Sequence, residues 1–130
     1  MTAADYISNQ ELERQPILSS INAIILQEDK SVSQEVGPMM GKEMILYKEK
    51  GYFKYGLASV KNHISIHIMP IYGGSPLHEK YQKLLPSVRF QKGCLNFKNA
   101  ADVPLQTISH LFADCAKVSI AAMMEKREKK

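Results

Sequence analysis

Asn62-His63-Ile64-Ser65-Ile66-His67-Ile68-Met69 sets an isoleucine at every second position and a polar side chain between. A period of two belongs to a β-strand with one buried and one uncovered face. Ile64, Ile66 and Ile68 are predicted to point into the core, and His63, Ser65 and His67 away from it. Pro70 has no N–H to give to a neighbouring strand, so the strand ends there.

Working outward, Lys42 to Lys48 and Tyr52 to Val60 read as two further strands. Glu49-Lys50-Gly51 between them suits a tight hairpin, with glycine supplying positive φ. Lys61-Asn62 is then the turn into the alternating strand. Lys30 to Met40, with Ser31, Ser33, Gly37 and Pro38, reads as a loop. Gly73-Gly74-Ser75-Pro76 reads as a turn and helix start, Ser75 as N-cap and Pro76 at the first helical position. A short helix runs from there to Leu85 and stops before Pro86. Val88 to Phe97 is the last strand, with Gly93 as a bulge.

Helices are expected at both ends. The first spans about Asn9 to Gln27, with Asp5 to Ser8 as a preceding turn. Ile17, Ile21, Ile24 and Ile25 make one apolar stripe. Pro16 places the start of the regular part near Gln15, after a looser first segment. The last is capped by Asp102 and runs to about Lys126, burying Leu105, Ile108, Leu111, Phe112, Cys115 and Val118. Short links between successive strands mean antiparallel pairing. The fold class is α+β: an antiparallel sheet with N-terminal and C-terminal helices packed on one face and the other face open to water or a partner.

The chain has 130 residues, enough for one domain over 1–130 and no second core, with 126–130 a frayed tail. Its two cysteines, Cys94 and Cys115, match no zinc spacing. The N-terminus lacks a basic, apolar leader, and no stretch has the roughly 18 apolar residues of a membrane span. A cytoplasmic protein with free thiols is expected. Net charge is +4 but polarised: six acids against two bases leave −4 in residues 1–35, and the remainder carries +8. The basic part favours an anionic partner. Neither an RNP-like nor a helix-turn-helix pattern is present, which argues against nucleic acid.

The uncovered face supplies the candidate binding residues. His63 and His67 share it, but four residues of strand separate them by about 13 Å. A single metal ion with bonds of about 2 Å cannot take both. Together with Tyr55, Lys61, Ser65 and Cys94 they suit a small anionic or planar ligand, or a protein partner. Tyr47, Tyr52 and Lys54 are candidates for the same face. Cys94 beside Lys92 also admits an activated thiol, although spacing identifies no catalytic constellation. Cys115 belongs to the core, and His78 and His110 are lone helix histidines. Gly37-Pro38-Met39-Met40-Gly41-Lys42-Glu43 is one residue too short between its glycines for a phosphate loop and has Glu where Ser or Thr is needed.

Several stretches also carry a family pattern. These are Tyr47 with Gly51-Tyr52-Phe53, Val60-Lys61-Asn62-His63-Ile64-Ser65-Ile66-His67, Pro70, and Phe90-Gln91-Lys92-Gly93-Cys94-Leu95-Asn96-Phe97, followed by Leu105 and Ile108. In these the chain resembles, over nearly its whole length, the YdhG-like family of small bacterial domains of unknown function. The resemblance implies a frataxin-like α+β arrangement, no enzyme activity, and an intracellular iron chaperone. Iron would then meet acidic residues near the first helix, here Glu11, Glu13, Glu28 and Asp29, with Glu35 nearby. The two functional expectations are an iron-delivering binding protein and, as the alternative, a small-ligand or protein-binding module on the open sheet face. A Cys94-dependent enzyme is the third.

Overall fold

A computed structural model describes residues 1–39, 41–61, 63–71, 76–85, 89–91, 94–99, 101 and 103–128, with backbone alone for 89–91 and 127–128. The elements in chain order are α1 (Ala3–Ser8), α2 (Gln15–Glu28), β1 (Val32–Met39), β2 (Lys42–Glu49), β3 (Tyr52–Ser59) and β4 (Ile64–Ile68). A 3-10 turn (Met69–Ile71), α3 (Pro76–Leu84), β5 (Arg89–Gln91), β6 (Cys94–Phe97), α4 (Leu105–Ala116) and α5 (Ile120–Glu128) follow. The strands form one six-stranded sheet in the order β1-β2-β3-β4-β6-β5, and every pairing is antiparallel. The expected α+β class is the observed one.

The alternation of β4 sets the two faces. Ile64, Ile66 and Ile68 join one large core with Ile45, Tyr47, Tyr55 and Leu57 from the sheet. Leu18, Ile21 and Ile25 of α2, Tyr81 of α3, and Ile108, Leu111, Phe112 and Cys115 of α4 close it from the other side. Tyr55 stacks edge-on against Phe112, with ring centroids 4.9 Å apart. The opposite face holds a small cluster of Met44, Leu46 and Ala58, packed with Met39, Phe53 and Val60. That cluster is drawn from strands and their ends, with no helical member.

Several boundaries differ from the sequence reading. Lys30 to Met40 is not a loop: residues 32–39 form edge strand β1, paired along its length with β2. Pro38 misled the reading, because an edge strand needs only half of its N–H groups for pairing. The last expected strand is two, β5 and β6, which pair with each other; Gly93, read as a bulge, lies outside the described residues, as do Met40, Asn62, Gly73 to Ser75, Pro86 and Asp102. The long C-terminal helix is also two, α4 and α5, and the second is assigned to Glu128. The first helix splits as Pro16 suggested, and Asp5 to Ser8 lies within α1, begun by a Thr2–Asp5 capping box.

The β2–β3 hairpin closes through Lys50 and Gly51, with φ of 50° and 86°. Two positive φ values with Glu49 paired to Tyr52 describe a type I′ turn. Lysine is a poor occupant of the left-handed region, whereas asparagine tolerates it. Lys50→Asn should therefore raise the unfolding free energy by about 0.5–1 kcal/mol, read from the urea midpoint at unchanged slope; a lowered midpoint would contradict the turn assignment.

Candidate functional site

The face away from the helices, on which Met44, Ala58 and Ser65 are nonetheless buried, becomes a site because of which residues the register aligns. β4 pairs with β6 so that Ser65 opposes Asn96 and His67 opposes Cys94. On its other side β4 meets β3, where Ser65 faces Ala58 and His67 faces Gly56. Directly opposed side chains in an antiparallel pair come within touching distance. The Ser65 hydroxyl donates to Asn96 Oδ1 at 2.6 Å, and Cys94 Sγ lies 2.8 Å from His67 Nδ1. Because β3 contributes only Gly56 and Ala58 here, a depression forms beside the polar row. Gly56 has no room for a side chain, since a Cβ would meet Met44 Sδ at 2.9 Å and Phe53 Cζ at 3.1 Å.

The resulting groove has a volume of about 280 Å³. Ser65, His67, Cys94 and Asn96 line it, with Met39, Met44, Ala58 and Val60 as apolar walls and Lys42 and His63 as the other polar members. Among the described residues none that lines it is a carboxylate, and its charged members are cationic. Burial pushes the His67 imidazole below its ordinary pKa, and the Lys42 ammonium pushes the same way. At neutral pH the ring is therefore uncharged and can accept a proton at Nδ1.

Four of the six sequence-predicted binding residues thus meet: His63, Ser65, His67 and Cys94. Tyr55 does not. It is fully buried on the helix face, and its hydroxyl donates to Asp29 Oδ2 at 2.7 Å. Tyr47 is buried on that same face, bonded to Asn22 Oδ1 at 2.5 Å. The reason is simple alternation: residues 45, 47, 55 and 57 share the side that the helices cover. Lys61 is exposed beyond the end of β3 and lines a separate depression with Glu11, Glu13, Arg14 and Lys98.

The four carboxylates expected to meet iron do not converge. Asp29 is 1% exposed and faces Lys54, whose Nζ stands 2.8 Å from Asp29 Oδ2. Glu28 accepts from the Ser109 hydroxyl at 3.2 Å. Glu11 and Glu13 sit in the depression shared with three cations. Among the described residues, no group of three or more His, Cys, Asp or Glu side chains is placed to hold a metal ion.

Lys54 is the residue that sequence reading misplaced most. Strict alternation puts it opposite to Tyr55. The β2–β3 register slips between Tyr47 and Lys48, so that Tyr47 pairs with Tyr55 and Lys48 with Phe53, leaving Lys54 as the extra residue of a bulge. The bulge turns the lysine inward, where it is 0% exposed between Asp29 and Glu49. Asp29 is further held by the Ser31 amide and hydroxyl, at 3.0 and 2.5 Å. Glu49 accepts from the Ser119 hydroxyl at 2.7 Å and from the Ile120 and Ala121 amides at 2.9 and 3.3 Å. Burial raises both carboxyl pKa values. For Asp29 the Lys54 ammonium and the bonds from Ser31 and Tyr55 outweigh it, and for Glu49 the bonds from Ser119 and α5 with the Lys54 charge do so. Both groups end below their ordinary values and are ionised. Nearby Cys115 is fully buried, and burial pushes its thiol up to about 12, which leaves it inert.

Arg14 was also missed. Its guanidinium donates to the Ser59 hydroxyl at 2.9 Å and to the carbonyls of Val60 and His63, tying the start of α2 to the β3–β4 connection. No sequence signal marks that role, because the acceptors are mostly backbone carbonyls. Among the described residues no helix is long and apolar enough to cross a membrane. The chain matches no family model, no curated protein and no solved structure.

Proposed function

We propose that this protein is a non-enzymatic binding protein whose ligand is a small anionic molecule seated in the groove of the open sheet face. The observation that carries this reading is the composition of the groove: a polar row of Ser65, His67, Cys94 and Asn96 between methionine and valine walls, with Lys42 and no carboxylate. Concave apolar surface with a few convergent polar groups is the usual form of a small-ligand site. The +8 balance of residues 36–130 supports an anion over a cation. Delivery of iron, which the YdhG-like resemblance implies, has less support, because the acids it would use are scattered and Asp29 already neutralises Lys54.

The groove reading is tested with a planar sulfonate, anilinonaphthalene sulfonate, titrated into the isotopically labelled protein. Saturable shifts should cluster on the amides of Met44, Ala58, Ser65, His67 and Asn96, and Lys42→Glu should weaken binding severalfold. Shifts confined to the helices, or none at millimolar probe, would reject it. Ferrous iron that binds tightly under anaerobic conditions, and is lost when Glu11, Glu13 and Glu28 are neutralised, would replace the groove reading with the iron one.

A further inference from the structure

The groove also contains a reactive constellation that a passive ligand site does not require. Cys94 and His67 are cross-strand partners held by sheet register, so their 2.8 Å approach follows from backbone geometry rather than from two mobile side chains meeting. Thiol and imidazole both line the groove, so a ligand placed there lies against the sulfur. A thiol beside a neutral imidazole is the standard arrangement for generating a sulfur nucleophile on demand. Cys115 cannot take part, being fully buried on α4 in the core on the helix side of the sheet.

We infer that Cys94 is a nucleophilic thiol, with His67 as its proton acceptor, that captures small anionic disulfides in the groove as a mixed disulfide. The inference rests on the groove reading for its choice of ligand and adds the chemistry. The Cys94 proton passes to His67 Nδ1 as Sγ attacks one sulfur of R–S–S–R. The S–S bond breaks, a Cys94–S–S–R bond forms, and the bonding pair leaves with the departing sulfur. That thiolate takes the proton from His67 and leaves as R–SH. Cys94 is oxidised and half of the disulfide is reduced, so the electrons balance. With Cys115 out of reach, no internal thiol resolves the adduct, which persists until an external thiol exchanges with it. Lys42 and the absence of groove carboxylates select carboxylate-bearing disulfides over neutral ones.

The full chain is incubated with oxidised glutathione at neutral pH and followed by intact mass and peptide mapping. One adduct, on Cys94, is expected, and Cys94→Ser should remove it. His67→Gln should slow its formation at least about tenfold with the thermal midpoint unchanged. Lys42→Glu should slow reaction with oxidised glutathione by a larger factor than reaction with uncharged hydroxyethyl disulfide, and equal slowing of the two would overturn the charge selection. If His67→Gln does not fold, the wild-type pH profile decides the same point. Among the described residues, the titratable groups that line the groove with Cys94 are Lys42 on β2, His63 just before β4 and His67 on β4. A rate that stays level from pH 8 down to about 6.5 shows an assisted thiol, because an unassisted thiol of pKa about 8.5 loses tenfold per unit, and a profile that stays level in Lys42→Glu assigns the assistance to His67 rather than to the Lys42 charge. A thiol no faster than that of an unfolded peptide, or a rate indifferent to His67, overturns the inference. The sulfonate titration separates the two readings: binding with an inert thiol leaves the groove and removes the nucleophile, and a fast thiol without binding does the reverse.

Discussion

Lys54→Met lowers the unfolding free energy by about 3–5 kcal/mol, the loss that follows when one member of a buried ion pair is removed. The side chains are of similar length, so little packing is lost and the deficit is electrostatic. Asp29 keeps its Ser31 and Tyr55 bonds but loses the only cation within 4 Å among the described residues. Urea denaturation at neutral pH measures the effect, and a change below about 1 kcal/mol would show that the pair contributes little. Adding Asp29→Asn should recover part of the loss, because the uncompensated charge then disappears. Acid gives the same answer. The Asp29 and Glu49 carboxyls titrate below their ordinary values of 3.8 and 4.5 in the folded protein. Their contribution is therefore complete above those values and is lost as the pH falls through the folded ones. The gap between wild type and Lys54→Met should narrow on acidification, since Asp29 becomes neutral in both while wild type keeps a buried ammonium.

Glu49→Ala should cost about 2–4 kcal/mol, because three donors at the start of α5 lose one acceptor group. A negative charge at a helix N-terminus also offsets the positive end of the helix dipole. Glu49 is the clamp that fastens the C-terminal helix to the β2–β3 hairpin. Hydrogen exchange should show the loss first in Ala121 to Met124, with the β4 amides still protected. Uniform loss across the sheet would mean that α5 unfolds only with the whole domain.

The proposed function does not depend on these residues. The ionic centre lies on the helix side of the sheet, and the groove lies on the other. Lys54→Met and Glu49→Ala, where folded, should leave sulfonate binding and Cys94 reactivity as they are. That independence gives the groove experiments an internal control for general loss of structure.

How much could be read in advance depends on the range of the interactions involved. Isoleucines at 64, 66 and 68 can be buried together only on a strand with one covered face, so that strand was legible in one short stretch, and the α+β class followed from the short strand links and the apolar helix stripes on either side of it. His63, Ser65 and His67 followed as the opposite face by the same alternation, as did Cys94 once Leu95 and Phe97 were assigned inward. Lys54 and Tyr55 were not legible. Their placement depends on a bulge set by pairing with β2 and on Asp29, which lies 25 residues before Lys54, and no local pattern carries either. The break between α4 and α5 was hidden for the same reason, since the carboxylate that fastens the second helix comes from Glu49, 70 residues before Ser119. The approach of Cys94 to His67 is also a matter of register between strands that the chain separates by α3 and β5. Period-two burial is a local property and can be read from neighbours in the chain. A bulge, a buried charge and a cross-strand pair each need a partner that only the folded chain brings near.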